Sequence, residues 1–259
     1  VAANTGPGVN RLAPPSLRLA ALGAMRVTRD GAPLTPAEGL SAKARELLFY
    51  VASHPPRSML QIGADLWPEA SKQQLRTAFH NTLHNLRHAL GGRDWVMTSA
   101  DGYTLNRDLA YWYDVEQFRR LAGAARSSPS DAETQAQLRA ALDLYGGDFL
   151  AELDADWVTP LRSELQRAYG DTALALGRLL MDDAFYGQAA DVYRALIARD
   201  GHLEAAYREL MRCLSRSGER AQALRVYQTL ASALERDMGV APGAETRALF
   251  ERIRQGEDI

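Results

Sequence analysis

The sequence has a single cysteine, no long apolar run and no glycine-rich phosphate loop. Cys213 alone among 259 residues excludes a disulfide framework and a zinc site built from several thiolates, and it favours a cytoplasmic protein. The longest apolar runs cover only a few residues, too few for a membrane-spanning helix, so no membrane partner is expected. Neither a G-x-x-x-x-G-K-[ST] loop nor a nucleophile elbow with its partners is present, so neither an enzyme nor a cofactor is predicted.

Acidic residues are scarce in one stretch of an otherwise balanced chain. The formal net charge is −2, yet residues 1–113 carry 12 Lys and Arg against 8 Asp and Glu, while residues 114–259 carry 18 against 24. No acidic residue occurs between Ala70 and Arg93. A basic segment within a near-neutral chain predicts a local contact with a polyanion, with an ordinary solvated helix face as the alternative.

The beginning of the chain divides into a leader, a strand set and a helix. Residues 1–16 are rich in Gly, Pro, Asn and Ala and are interpreted as a flexible leader or linker, because they lack the pattern of a signal peptide. Residues 17–35 alternate around Gly23 and the turn Asp30-Gly31, which predicts a small antiparallel strand set. Residues 42–53 then have the apolar spacing of a helix.

A longer helix, residues 72–90, follows a short one over 59–67. Ser71 and Gln74 fit a capping box at its start, and two glycines follow its end. Residues 94–106 then predict a β-hairpin that turns at Asp101-Gly102. Strands, three helices and a hairpin in this order are typical of a winged helix-turn-helix, with the third helix as recognition helix and the hairpin as wing.

Helix 72–90 separates into an apolar and a polar side when its residues are placed 100° apart. Leucines, alanines and Phe79 fill the apolar side. Arginine can pair with guanine, asparagine with adenine, the threonine methyl with thymine, and histidine can donate to guanine or phosphate. We therefore predict that the polar side reads base edges of double-stranded DNA. The predicted base-facing residues are Arg76, Thr77, His80, Asn81, His84, Arg87 and His88.

The three histidines of this helix allow two other interpretations, a core position and a metal site. The core is excluded because all three fall on the polar side. His80 and His84 could chelate an ion from one helix, but His88 lies about 40° further round and no cysteine is near, so no metal site is predicted.

Basic residues around the helix are candidates for phosphate contacts, with solvated surface charges as the alternative. These candidates are Lys43, Arg45, Lys72, Arg93 and Arg107.

The pattern from residue 113 onward is almost wholly helical. Residues 186–197 align with residues 220–231 at an offset of 34, the period of tetratricopeptide repeats, although two alanine-rich amphipathic helices can match by chance. The predicted fold class is therefore mostly α. A winged helix-turn-helix over residues 17–112, with a small sheet and a wing hairpin, precedes an all-α tetratricopeptide-like domain over 113–259. The four tryptophans are predicted to pack in a core or between domains.

Several motifs together resemble the bacterial transcriptional activation domain regulators, typified by the Streptomyces antibiotic regulatory proteins. The carrying segments are KARELLFYVASHP (43–55), DLWPEAS (65–71), LRHALGG (86–92), DGYTLN (101–106), YDVEQFRRL (113–121), LDLYGGDFLAELDADWVTPLR (142–162) and LERDMGVAPGAETRALFERI (234–253). The resemblance implies an OmpR-type winged helix joined to a tetratricopeptide-like activation domain. It also implies an activator that binds promoter direct repeats as a dimer and helps to recruit RNA polymerase or another protein.

Two features qualify this resemblance. Recognition helices of the family are usually richer in arginine where this chain has His80, Asn85 and His88, so weaker or pH-sensitive binding is expected. The linker-like start fits the C-terminal output part of a larger regulator as well as a complete protein. A tetratricopeptide scaffold whose winged helix contacts only proteins is the competing hypothesis.

Overall fold

The structure, a computed structural model, describes residues 16–124, 130–257 and 259. The predicted leader, except for Ser16, lies outside these residues. By packing, the described chain forms two compact units. The first contains the residues up to Glu116 together with Gly146–Arg162, and the second contains Gln117–Tyr145 and Ser163–Ile259. The domain boundary between residues 112 and 113 stays a sequence-based prediction.

A four-stranded sheet of order β3-β2-β1-β6 lies in the first unit. Strands β1 (Leu17–Ala20), β2 (Arg26–Arg29) and β3 (Ala32–Pro33) form the predicted antiparallel set. Strand β6 (Tyr111–Tyr113) was not predicted; it pairs with β1 in parallel, with Leu17 opposite Tyr111. Its three residues are too few for a recognisable alternation, and the partner strand is over ninety residues away in sequence.

Three helices and a hairpin follow in the predicted order. Helices α1 (Ala42–Ser53), α2 (Met59–Leu66) and α3 (Lys72–Ala89) each begin after a serine whose side chain accepts a hydrogen bond from the first turn. The hairpin consists of β4 (Val96–Ser99) and β5 (Gly102–Leu105), paired antiparallel. These elements have the arrangement of a winged helix, with α3 in the place of the recognition helix.

The remaining helices belong mainly to the second unit. They are α4 (Asp114–Ala124), α5 (Asp131–Leu144), α6 (Val158–Asp182), α7 (Tyr186–Arg199), α8 (Glu204–Arg216), α9 (Arg220–Met238) and α10 (Ala244–Gln255). Two pairs of residues related by the 34-residue offset are similarly buried, while Tyr193 is fully buried and its equivalent Tyr227 only partly. Ala189 and Ala223 have no exposed surface, and Leu196 and Leu230 are almost completely covered. The shared burial of the alanine and leucine pairs is expected of two stacked helical repeats.

Candidate nucleic-acid interface

Helix α3 has one buried and one exposed side. Its buried residues are Leu75, Phe79, Leu83, Leu86 and Ala89. Six of the seven predicted base-facing residues are exposed, namely Arg76, Thr77, His80, Asn81, His84 and His88, while Arg87 is half-buried. The side predicted to read DNA is therefore accessible along the whole helix.

Both ends of α3 are fixed by side chains. At its start Gln74 Oε1 accepts from the backbone N–H of Ser71 at 2.9 Å, and Ser71 Oγ accepts from Gln74 N at 3.4 Å, as the capping box predicted. At its end Arg29 Nη1 donates to Ala89 O at 2.8 Å, so that a cation lies at the negative end of the helix dipole. The role of Arg29 was missed by sequence reasoning, because the residue lies on a strand sixty positions away.

Most polar side chains on the exposed side of α3 have no hydrogen-bond or ion-pair partner among the described residues, although the ring of His80 meets Phe79 edge-on at 5.7 Å. Within the described part of the chain, Arg76, His80, Asn81, His84 and His88 make no side-chain hydrogen bond or ion pair. Thr77 Oγ1 donates back to Gln73 O at 3.2 Å. Unengaged donors and acceptors on an accessible helix can bind an external partner without breaking internal contacts.

Arg87 differs from the other six residues because it contacts the wing. Its Nη2 donates to Val96 O at 2.7 Å and to Thr98 Oγ1 at 3.2 Å, both on β4. Its Nε is buried and has no partner among the described residues. The guanidinium therefore braces the wing against α3, which leaves fewer of its donors for a base.

The five predicted phosphate contacts fall into two groups. Lys43 Nζ pairs with Glu46 Oε2 at 2.6 Å and donates to Leu66 O at 3.0 Å. Arg107 forms an ion pair with Glu116 at 3.1 Å, and its Nη2 donates to Ala52 O at 2.9 Å. Both side chains are thus held by internal contacts.

The second group consists of Arg45, Lys72 and Arg93. None of these three makes a side-chain hydrogen bond or ion pair within residues 16–124, 130–257 and 259. Lys72 lies in the first turn of α3, and Arg93 follows its end. These cations are the better placed candidates for phosphate contacts.

A shallow cavity of about 480 Å³ lies along the C-terminal half of α3. It is lined by His80, Leu83, His84, Arg87, His88, Gly91, Gly92 and Arg93, and so it brings the three histidines and Arg93 to one surface without an acidic side chain. In the described residues no three His, Cys, Asp or Glu side chains are grouped to hold a metal ion. The same residues include no helix long and apolar enough to cross a membrane.

Comparisons with known proteins give one matching family. The model of the bacterial transcriptional activator domain matches residues 113–254. Regulatory protein AfsR of Streptomyces coelicolor is 31% identical, over 93% of this chain and 24% of its own length. Transcriptional regulatory protein EmbR of Mycobacterium tuberculosis is 26% identical, over 92% of this chain and 63% of its own length. Regulatory protein DnrI of Streptomyces peucetius is 26% identical over 91% of both.

One solved structure has the same fold. It is described as Mycobacterium tuberculosis EmbR in complex with a low affinity phosphopeptide, and it matches with a TM-score of 0.76 at 23% identity. The match covers 95% of this chain and 66% of that one. The likeness confirms the predicted fold class, a small sheet and winged helix followed by a helical domain. This chain spans about a quarter of AfsR and under two thirds of the EmbR sequence.

Proposed function

The chain belongs to the family of the bacterial transcriptional activator domain, and on this premise we propose that it is a sequence-specific DNA-binding regulator of transcription. It acts as an activator that reads promoter direct repeats with α3, two copies binding adjacent repeats. Its helical part contacts RNA polymerase or another protein. No cofactor is needed for this activity.

The observation that carries the proposal is the unengaged, accessible side of α3. The major groove of B-DNA is about 12 Å wide and admits one α-helix. Arg76 and Asn81 supply the two side-chain types that discriminate guanine and adenine most directly. The capped ends and the wing brace at Arg87 hold the helix rigid, so that binding does not have to order it.

Cations at both ends of α3 supply the electrostatic part of the interaction. Lys72 and Arg93 flank the helix, and Arg45 lies on α1. No carboxylate occurs between Ala70 and Arg93 to repel a phosphate. These cations fix the register of the protein on DNA, while the exposed side of α3 selects the sequence.

The proposal is tested by titrating the purified full chain with promoter fragments at several salt concentrations. If Arg45, Lys72 and Arg93 each neutralise one phosphate, the logarithm of the association constant falls with the logarithm of salt with a slope of about −2.7 per copy, since each contact contributes about −0.9. Absent or salt-insensitive DNA binding, with stable capture of a protein partner, would favour the competing scaffold that contacts only proteins.

A further inference from the structure

Residues 146–162, here termed the strap, belong by sequence to the activator domain but pack within the first unit. Phe149 forms a β-bridge with Leu22. Leu150 N donates to Ala21 O at 2.8 Å, and Gly23 N donates to the carbonyl oxygen of Asp148 at 3.2 Å. A Cβ added at Gly23 would lie 3.1 Å from the carbonyl carbon of Gly146. The strap backbone therefore lies directly against the loop between β1 and β2.

Trp157 is the buried side chain through which the strap contacts α1. Its indole Nε1 donates to Glu46 Oε1 at 3.2 Å, and only 7% of its surface is exposed. Its ring meets Tyr50 edge-on with centroids 5.1 Å apart, and His54 lies 5.6 Å away. Burial lowers the pKa of His54, which is consistent with a neutral ring in this aromatic cluster.

Contacts continue from Glu46 to the end of α2. Glu46 Oε2 pairs with Lys43 Nζ at 2.6 Å, and the same ammonium donates to Leu66 O at 3.0 Å. Lys43 Nζ also lies 5.4 Å from the ring centroid of Trp67. Tyr50 provides a parallel connection, because its hydroxyl donates to Asp65 on α2 at 2.5 Å.

The series of contacts that begins at Trp157 ends on α3. The ring of Trp67 meets Phe79 edge-on at 6.4 Å, and Phe79 is fully buried on the inner side of α3. Every contact from Trp157 to Phe79 lies within the first unit. Glu46 is 8% exposed, so its Oε1 has little access to water and depends on the indole N–H for its hydrogen bond.

We propose that Trp157 is a positioning residue for the recognition helix, acting through Glu46 and Lys43 on the end of α2 and so on α3. The strap is then a structural part of the DNA-binding unit, and a fragment ending before it lacks one wall of that unit. The DNA readout of this inference rests on the function proposed above. The carboxylate of Glu46 is buried, while the side chain of Lys43 is 41% exposed. A buried carboxylate that loses one of its hydrogen bonds rearranges, and here the rearrangement shifts the anchor of Lys43 on α2.

The test uses the full chain with Trp157→Phe, which keeps an aromatic ring but removes the donor to Glu46. The matched control is Trp112→Phe, because Trp112 is also in the first unit but is half-buried on β6 and stacks with Arg18. We expect Trp157→Phe to weaken DNA binding by about two- to thirtyfold, the effect of a residue that couples two parts of a protein. The salt slope should stay unchanged, because no phosphate contact is lost.

A double-mutant cycle with Lys43→Met tests the connection itself. If Trp157 acts through Lys43, the two substitutions together weaken binding little more than one alone. Additive effects would overturn the inference, and so would a salt slope that becomes shallower by about 0.9 on replacing Lys43, since that change marks a direct phosphate contact.

Amide hydrogen exchange separates this inference from the proposed function. Trp157→Phe should reduce protection of α2 and α3 more than that of β1 and β2, and Trp112→Phe should not. An equal loss of amide protection in all elements, or no loss of protection, would overturn the positioning role of Trp157 even if the chain binds DNA strongly. If the wild-type chain binds no DNA, the proposed function fails while exchange still decides the inference. Should Trp157→Phe not fold, Glu46→Gln must show the same selective loss.

Discussion

Replacing Gly102 by alanine should lower the free energy of unfolding of the first unit more than the same replacement at Gly31, a turn glycine with open space around it. Gly102 has a φ of +125°, a conformation that costs an L-residue about 1–3 kcal/mol. A Cβ there would lie well under 3.0 Å from the carbonyl of Arg57 and 2.7 Å from Ser58 N, which are backbone atoms with little freedom to move. Relief requires the bridge between Arg57 and Tyr103 to open, with its hydrogen bonds of 2.8 and 3.2 Å.

The expected loss follows from these two contributions. Two backbone hydrogen bonds at about 0.5–1.5 kcal/mol each, added to the conformational cost, give about 2–6 kcal/mol. Gly31 is the matched control, because its φ is +82° but nothing lies within 4 Å of an added Cβ. Gly31→Ala should therefore cost only the conformational part, about 1–2 kcal/mol.

Urea unfolding monitored by tryptophan fluorescence measures the stability of the first unit in both variants. All four tryptophans, Trp67, Trp95, Trp112 and Trp157, lie in the first unit, so their emission reports on that unit. The wing should also lose its bridge to the start of α2, and DNA affinity should fall in the Gly102 variant. A stability loss for Gly102→Ala no larger than that for Gly31→Ala would refute the steric argument.

Four further predictions concern DNA contacts, helix packing and pH. Arg76→Ala should weaken DNA binding by about 1–3 kcal/mol with selectivity lost at one base pair, measured by competition between site variants. Lys72→Ala should weaken binding to all sequences alike and make the salt slope shallower by about 0.9. Gly177→Ala should lower the midpoint of helical unfolding in circular dichroism, because an added Cβ overlaps the buried ring of Tyr193. Burial lowers the pKa of His54 in the folded chain. Just below pH 6.5 the unfolded chain therefore binds more protons than the folded chain, so acidification through that window should lower the free energy of unfolding measured by tryptophan fluorescence. The decrease should be smaller in His54→Phe.

Local signals predicted most of the secondary structure. The capping box at Ser71 and the turn at Asp101-Gly102 act within a few residues, so the start of α3 and the wing could be derived from sequence alone. The parallel pairing of β6 with β1 and the packing of the strap could not, because both depend on contacts between distant segments. Gly146-Gly147 was the available signal, since adjacent glycines permit close backbone approach, here to Gly23.

The candidate interface was predicted as a surface but not in its internal contacts. Helical periodicity placed Arg76 and the histidines on the exposed side, and the structure has them there. Periodicity cannot show whether a cation at the edge of that side meets a neighbouring element. Arg87 contacts β4, Lys43 donates to Leu66 O on α2 and Arg107 contacts Glu116, and each contact depends on tertiary packing. The DNA-contact roles of all these residues remain predictions.

The most direct test of the central claim is a selection of bound fragments from a genomic DNA pool by the purified full chain. The wild-type chain should enrich a repeated sequence motif, and enrichment should decline as salt rises. The Arg76→Ala chain should enrich a motif that is relaxed at one position of each repeat. No enrichment by the wild-type chain, or an identical motif from the Arg76 variant, would contradict the claim that α3 reads DNA.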